Sequence, residues 1–406
     1  MANILLMDVI FRKRYIERVK PFIDKNLIKV IVGQRRVGKS YLIKMLIEHI
    51  NTFHFEVNTI YIDKEQYEFD NISDYHSLIS FVEKNIDINK RNYLFIDEIQ
   101  EISGFEKALR HFQNKGNLDI YCTGSNADLL SGDLATLLSG RYVKIKVNSL
   151  SYNEFIEFHK LSDSDETLQK YLKWGGLPYL RNLDKRDEVI FEYLSNIILT
   201  IVYKDVIHRY KIRNVEFFDR LIQFIAANSG NLITSKRISD YLKSQKVDIS
   251  PRVVLTYLKY LQNAFLIYKL KRVDIYSKKI FEINDKFYFE DWGLKNSLLG
   301  LENFSVPDLL ENIVFSHLKY LGFSLSVGIL NNLEIDFIAK KLDKTIYIQV
   351  AYLIVDDKVK EREFGNLLRI KDNYPKYVIS LDTVPISSYK GVIHLNLRDF
   401  LKMEEL

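Results

Sequence analysis

Apolar positions along the chain follow two rhythms. In the first 150 residues, short unbroken apolar runs alternate with segments where apolar residues recur every three to four positions. Runs of the first kind read as strands buried on both faces, and segments of the second kind as helices lying over them. Strands are expected at 27–32, 59–62, 93–96, 118–122 and 142–147, and helices at 8–25, 41–47, 72–84 and 105–114. From 151 to about 224 the pattern is almost wholly helical, with a long run over 187–209. Helices follow at 235–242 and 251–263, the second with Ser250 as its cap and Pro251 in its first position. Two strands, 265–270 and 279–289, are joined by a basic turn. Beyond 309 the pattern changes again, to a helix ending near 321 and strands at 324–328, 334–339 and 345–350. The chain therefore divides into three expected parts: 1–150, 151–300 and 301–406.

Composition narrows the class without changing this layout. The 406 residues are 47% apolar and 27% charged, as in ordinary globular domains, and carry a net charge of +5. That charge permits contact with nucleic acid but does not require it. Cys122 is the sole cysteine, which excludes a disulfide framework and a cysteine metal cluster. The first residues lack a basic stretch leading into an apolar one, and no apolar run approaches bilayer length. The expectation is a cytoplasmic protein with no membrane partner.

The most informative stretch is Gly33-Gln34-Arg35-Arg36-Val37-Gly38-Lys39-Ser40, followed by Tyr41. It satisfies G-x-x-x-x-G-K-[ST] between an expected strand and an expected helix, the setting a phosphate-binding loop needs. Backbone N–H groups of such a loop converge on phosphate oxygens, and the helix N-terminus adds positive charge. Lys39 is placed to reach the β- and γ-phosphates of ATP, and Ser40 to hold Mg²⁺. The strand at 93–96 ends in Asp97 and Glu98: the first is the candidate metal partner, the second the candidate base for the attacking water. If the strand at 118–122 lies between the first and third strands, Ser125 or Asn126 stands near the γ-phosphate and can orient water. Either residue can equally cap the next helix. Arg141 falls where a helix ends and the fifth strand begins. It either stabilises charge on a γ-phosphate, in its own site or a neighbour's, or offsets a helix dipole. Arg12, Lys13 and Arg14 lie either near the nucleotide or on a solvated helix face. Arg35 and Arg36 have no assigned role.

Taken in order, GQRRVGKS, LFIDEIQ, YCTGSN and LLSGR resemble AAA+-type ATPases of the AAA_14 group fused to a C-terminal DUF4143 region. Leu150–Phe155, Gly175-Gly176-Leu177-Pro178, Tyr203–Val206, Ala264–Ile267 and Tyr288–Leu294 continue the likeness over nearly the whole chain. The resemblance implies an α/β phosphate-loop (AAA+-like) parallel sheet with helices on both faces. It also implies an ATPase with DNA-directed appendages, and an arginine-finger position for Arg141, acting across the interface of a homo-oligomer.

Helix, turn, helix and then a hairpin over 235–289 is the outline of a winged helix. Arg252 and Lys259 on its second helix, with Lys269, Lys271, Arg272, Lys278 and Lys279 on the wing, are the DNA-binding candidates; the alternative is an inert lid or an oligomerisation module. In the last part, an acid on a helix and paired strands bearing an acid and a glutamine resemble the core of PD-(D/E)XK nucleases. The set is Glu311, Asp336 and Gln349. Ala351 stands where active members carry lysine, so this α/β restriction-nuclease-like domain reads as a remnant. The expected function is Mg²⁺-dependent ATP hydrolysis coupled to DNA binding or remodelling. The alternatives are a nucleotide-dependent switch acting on a protein partner and an ATP-regulated nuclease.

Overall fold

The computed structural model describes the chain apart from residues 1–9, 128–139, 245–248, 282–283, 332 and 384–386. It contains two compact units. One runs through Val147 and includes Asn263–Phe265; the other comprises Asn148–Gln262 and Leu266–Leu406.

The first unit is built on five parallel strands: β1 (Ile28–Val32), β2 (Val57–Asp63), β3 (Arg91–Asp97), β4 (Leu118–Gly124) and β5 (Tyr142–Lys146). Their order is β2-β3-β4-β1-β5, which puts β4 between the first and third strands. All five residues of β1 and all seven of β4 are buried, as the unbroken apolar runs require of central parallel strands. Helices α1 (Lys13–Val19), α2 (Lys39–Phe53), α3 (Tyr75–Asn85) and α4 (Phe105–Lys115) accompany the sheet. The first helix is shorter than the 8–25 expected. Pro21 cannot donate the next helical bond, and the chain closes there in a 3-10 turn, Lys20–Phe22.

The second unit begins with α5 (Tyr152–His159), α6 (Asp165–Trp174) and α7 (Asp187–Thr200), the last continuing as a π-helix over Ile201–His208. Helices α8 (Val215–Ala227), α9 (Ser235–Ser244) and α10 (Pro251–Asn263) follow, with Ser250 capping α10 through a bond from the Val253 amide. The hairpin expected next is divided. Strand β6 (Ile267–Leu270) pairs antiparallel with β8 (Lys286–Phe289), while β7 (Arg272–Asp274) leaves to join another sheet. The strand expected from 279 begins only at 286: Asp274 accepts from the Tyr276 and Ser277 amides in a turn, after which Ile280 bridges back antiparallel to Val273 of β7.

That other sheet is formed by β9 (Ser324–Leu330), β10 (Leu333–Lys341), β11 (Lys344–Val350), β12 (Lys376–Ser380), β13 (Ser387–Tyr389) and β14 (Val392–Asn396). With β7 its order is β13-β14-β12-β11-β10-β9-β7. Helices α11 (Trp292–Leu299), α12 (Pro307–Tyr320), α13 (Asp357–Leu368) and α14 (Leu397–Lys402) complete the unit. Two of the motif stretches interlock in its core. Asp291, itself buried, accepts from the amides of Gly176 at 2.8 Å and Leu294 at 3.2 Å. Gly293 lies so close to Trp174 that a Cβ there would stand 2.0 Å from the Trp174 carbonyl oxygen. Gly175-Gly176 and Asp291-Trp292-Gly293 therefore form a packing joint. Among the described residues, no helix is long and apolar enough to cross a membrane.

Candidate functional site

Parallel pairing brings Val32, Asp63, Asp97, Gly124 and Lys146 to the same edge of the first sheet. The carboxyl edge of an open parallel sheet is where such folds place their ligands. The phosphate loop leaves β1 at this edge. Gly33 is obligatory there, since a Cβ would meet the Val147 carbonyl oxygen at 2.3 Å. Gly38 has φ of 97° and starts α2. Arg36 also has positive φ, 70°, and is exposed. Val37 is buried and its carbonyl accepts from Arg12 Nη1 at 3.0 Å, so the buried Arg12 braces the loop from α1's leading end. The Gln34 side chain is buried, and its amide has no hydrogen-bond partner among the described residues. Tyr41 points outward at 56% exposure, leaving its backbone to the loop.

The side chains with chemistry meet above this edge. Lys39 Nζ donates to the Gln34 carbonyl at 3.1 Å and lies 3.8 Å from Glu98 Oε1. The Ser40 hydroxyl bonds the Asp97 carboxylate, which also accepts from Thr123 Oγ1. Thr123 Oγ1 in turn accepts from the Glu98 amide at 2.9 Å, holding Glu98 at φ 54° where the strand ends. Glu98 Oε2 accepts from Ser125 Oγ at 3.2 Å and from Gln100 Nε2. Asn126 is buried beside them in sequence, one residue beyond Ser125. Arg35, whose role was open, lies 3.8 Å from Glu65, and its charge also bears on Glu98.

The two acids are driven in opposite directions. Burial raises the pKa of Asp97, and the charges of Glu98 and Asp63 add to it, outweighing the bonds from Ser40 and Thr123. For Glu98 burial acts upward too, but Lys39, Gln100, Arg35 and Ser125 outweigh it and bring the carboxyl below its ordinary value. A buried acid pushed up by neighbouring negative charge, with a hydroxyl bonded to it, is a set that Mg²⁺ would relieve. Ser40 and Asp97 would hold the ion. No group of three His, Cys, Asp or Glu disposed to hold a metal occurs among the described residues, and a nucleotide-bound Mg²⁺ needs none.

Arg141 is elsewhere. β1 and β5 pair in register from Ile28–Tyr142 to Val32–Lys146, so Arg141 sits at the opposite edge from the loop. A five-residue strand at roughly 3.3 Å per residue separates them. Its carbonyl accepts from the Ile28 amide and Gln113, and Nη1 donates to Asn114 Oδ1 at 3.1 Å. This placement excludes a role in its own site. The helix expected just before it, within 128–139, lies outside the described residues.

The remaining candidates form two groups. Arg252 and Lys259 are exposed on α10, with Thr256 between them at helical spacing. Lys271, Lys278 and Lys279 are exposed and lie in the connection between the antiparallel strands β6 and β8, where Val273 and Ile280 form an antiparallel bridge. Arg272 belongs to β7 and lies over the Phe281 ring at 4.9 Å, and Lys269 is paired with Asp285 at 2.7 Å. The acids of the nuclease-like part do converge. Asp336 Oδ2 accepts from the Val350 amide at 2.8 Å, one position along from Gln349, and Glu311 and Asp336 share contact with Lys286. Lys286, Thr123 and Gln100 were not singled out from the sequence. A lone lysine inside Lys286-Phe287-Tyr288-Phe289 was the signal for the first; Thr123 was hidden by the attention its neighbours Ser125 and Asn126 drew.

Comparison with known proteins gives this geometry a family. Residues 25–156 match the model described as an AAA domain (AAA_14), and 165–305 match a domain of unknown function, DUF8612, rather than the expected DUF4143. The Walker-type ATPase of Pyrococcus abyssi superposes with a TM-score of 0.54 at 18% identity, over 72% of this chain and 97% of that one, a likeness of fold alone. An uncharacterised protein of Methanocaldococcus jannaschii is 31% identical over 356 residues, 83% of this chain and 77% of its own. An uncharacterised protein of Haemophilus influenzae is 37% identical over 379 residues, covering 92% of this chain and 93% of its own. The chain thus carries an AAA-type ATPase domain and belongs to the family of the H. influenzae protein.

Proposed function

We propose that the protein hydrolyses ATP with Mg²⁺ and couples the cycle to DNA. The observation that carries the first half is the convergence of Lys39, Ser40, Asp97 and Glu98 at one sheet edge, with Lys39 Nζ 3.8 Å from Glu98 Oε1. In this reading residues 1–150 form the engine, 151–300 the transmitting helical and winged-helix-like part, and 301–406 a nuclease-like docking part. The loop amides and Lys39 bind the β- and γ-phosphates. Bound Mg²⁺ supplies charge neutralisation between those phosphates. Glu98 takes a proton from the water that attacks the γ-phosphorus, and the bond to the ADP oxygen breaks. Ser125 keeps the Glu98 carboxylate aimed, Asn126 orients the water, and Arg141 of a neighbouring subunit stabilises the transferred charge.

The DNA half rests on the exposed face of α10, where Arg252, Thr256 and Lys259 recur at one helical stripe, with Lys271, Lys278 and Lys279 exposed beyond it. Such a face suits phosphate contacts. Phosphate release from ATP with duplex, forked or single-stranded DNA, at about 0.1 M salt, tests both halves. Stimulation lost in Arg252→Ala/Lys259→Ala supports coupling. Turnover unaffected by any DNA form, with no binding, removes the DNA half and leaves the ATPase half standing. A slow switch acting on a protein partner is the second reading, favoured by the three groups that already occupy Glu98.

A further inference from the structure

Strand β8 is buried at every position, and its first residue is a lysine. A long cationic side chain in such a place ordinarily turns its charge out to water, yet Lys286 is 2% exposed. Its Nζ lies 2.7 Å from Glu334 Oε1, 2.9 Å from Glu311 Oε2 and 3.4 Å from Asp336 Oδ1. Burial works against the ammonium, but Asp336, Glu311 and Glu334 together outweigh it and hold the pKa above the usual lysine value. The acids come from α12 and β10, while the cation comes from the β6–β8 pair, a separate sheet.

Other donors occupy these acids as well. Tyr288 Oη donates to Glu311 Oε2 at 2.8 Å, and the Val350 amide donates to Asp336 Oδ2 at 2.8 Å. Glu334 is one-third exposed. A divalent ion bound by these oxygens would need them at about 2.0–2.6 Å around a common centre. The ammonium already stands at that centre, and a second cation beside it would be repelled in a poorly screened site. A buried charge is tolerated where carboxylates surround it, and removing one partner of such a set is costly.

We propose that Lys286 is the resident cation of this pocket. With its ammonium in place the three acids are not disposed to hold a metal; it stands where a divalent ion would otherwise have to sit, and it fastens the β6–β8 pair to α12 and β10. The sequence lacks a lysine at Ala351; the ammonium arrives instead from another strand, and it locks the pocket rather than arming it.

Mn²⁺ uptake by the full chain without nucleotide, read by electron paramagnetic resonance, tests this. Wild type and Glu334→Gln should take up the same amount, because the pocket contributes none. Lys286→Met should melt several degrees lower, take up about one further equivalent and regain melting temperature with Mn²⁺. Lys286→Met/Asp336→Asn should lose that equivalent. Uptake by wild type that disappears in Glu334→Gln would overturn the proposal, and this comparison stands even if Lys286→Met fails to fold. A folded Lys286→Met that gains no Mn²⁺, or that melts like wild type, would also overturn it.

Discussion

Thr123 Oγ1 joins the two acids of the ATPase site: it accepts from the Glu98 amide at 2.9 Å and bonds the Asp97 carboxylate. One hydroxyl thereby sets the backbone of one acid and the side chain of the other. Thr123→Val keeps the shape of a fully buried β-branched side chain and deletes both bonds. Turnover should fall by about 10²-fold, as misplacement of reacting groups does, with nucleotide affinity nearly unchanged. Thr123→Ser should recover most of the rate. Equal losses in both variants would point to packing instead.

Arg141 lies at the sheet edge opposite the phosphate loop, so the proposed action on a γ-phosphate would require a second copy. Arg141→Ala and Glu98→Gln should each be nearly inactive alone. Mixed, they should regain activity, because a site with an intact Glu98 can then face an intact Arg141. Absence of recovery in a mixture shown by sizing to co-assemble would remove Arg141 from the chemistry.

The loop, the strands and the paired acids could be read along the chain because each is local. A parallel sheet buried on both faces writes itself as apolar runs, and a phosphate loop is contiguous. The order of the strands could be read only conditionally, and it was topology that sent Arg141 to the far edge. Over 265–289 the antiparallel pair of β6 and β8 was legible, but the strand between them was not. β7 finds its partner in β9, some fifty residues on, and no pattern within 272–274 announces it. Lys286 is the same lesson at the level of charge, since its three acids lie 25 to 50 residues away.

His159 is packed against Phe155 and Trp174, and neither ring nitrogen has a hydrogen-bond partner among the described residues. Burial, with the positive charges of Lys185, Arg181 and Lys170, lowers its pKa to about 4. The unfolded chain therefore binds a proton that the folded chain refuses. The stability this residue protects is complete above about pH 6.5 and is lost as pH falls toward 4, a change on the order of 2–3 kcal/mol. Melting temperature measured across that window should fall less steeply in His159→Phe. Parallel profiles for the two chains would refute this.

Gly293 has the Trp174 carbonyl 2.0 Å from where its Cβ would stand. Gly293→Ala must push α11 away from α6, and destabilisation by about 2–4 kcal/mol is expected. Chemical denaturation checks it; a loss under 0.5 kcal/mol would mean the joint yields easily.

Glu98 carries the chemical core of the proposed reaction, and Glu98→Gln tests it with almost no change of shape. Steady-state release of phosphate from Mg²⁺-ATP should fall by about 10²–10⁴-fold. Binding of a fluorescent ATP analogue, measured on the same preparation, should hold or tighten, because the carboxylate that faces Lys39 has gone. Turnover in Glu98→Gln equal to that of wild type would contradict the assignment of this carboxylate as the base that activates water.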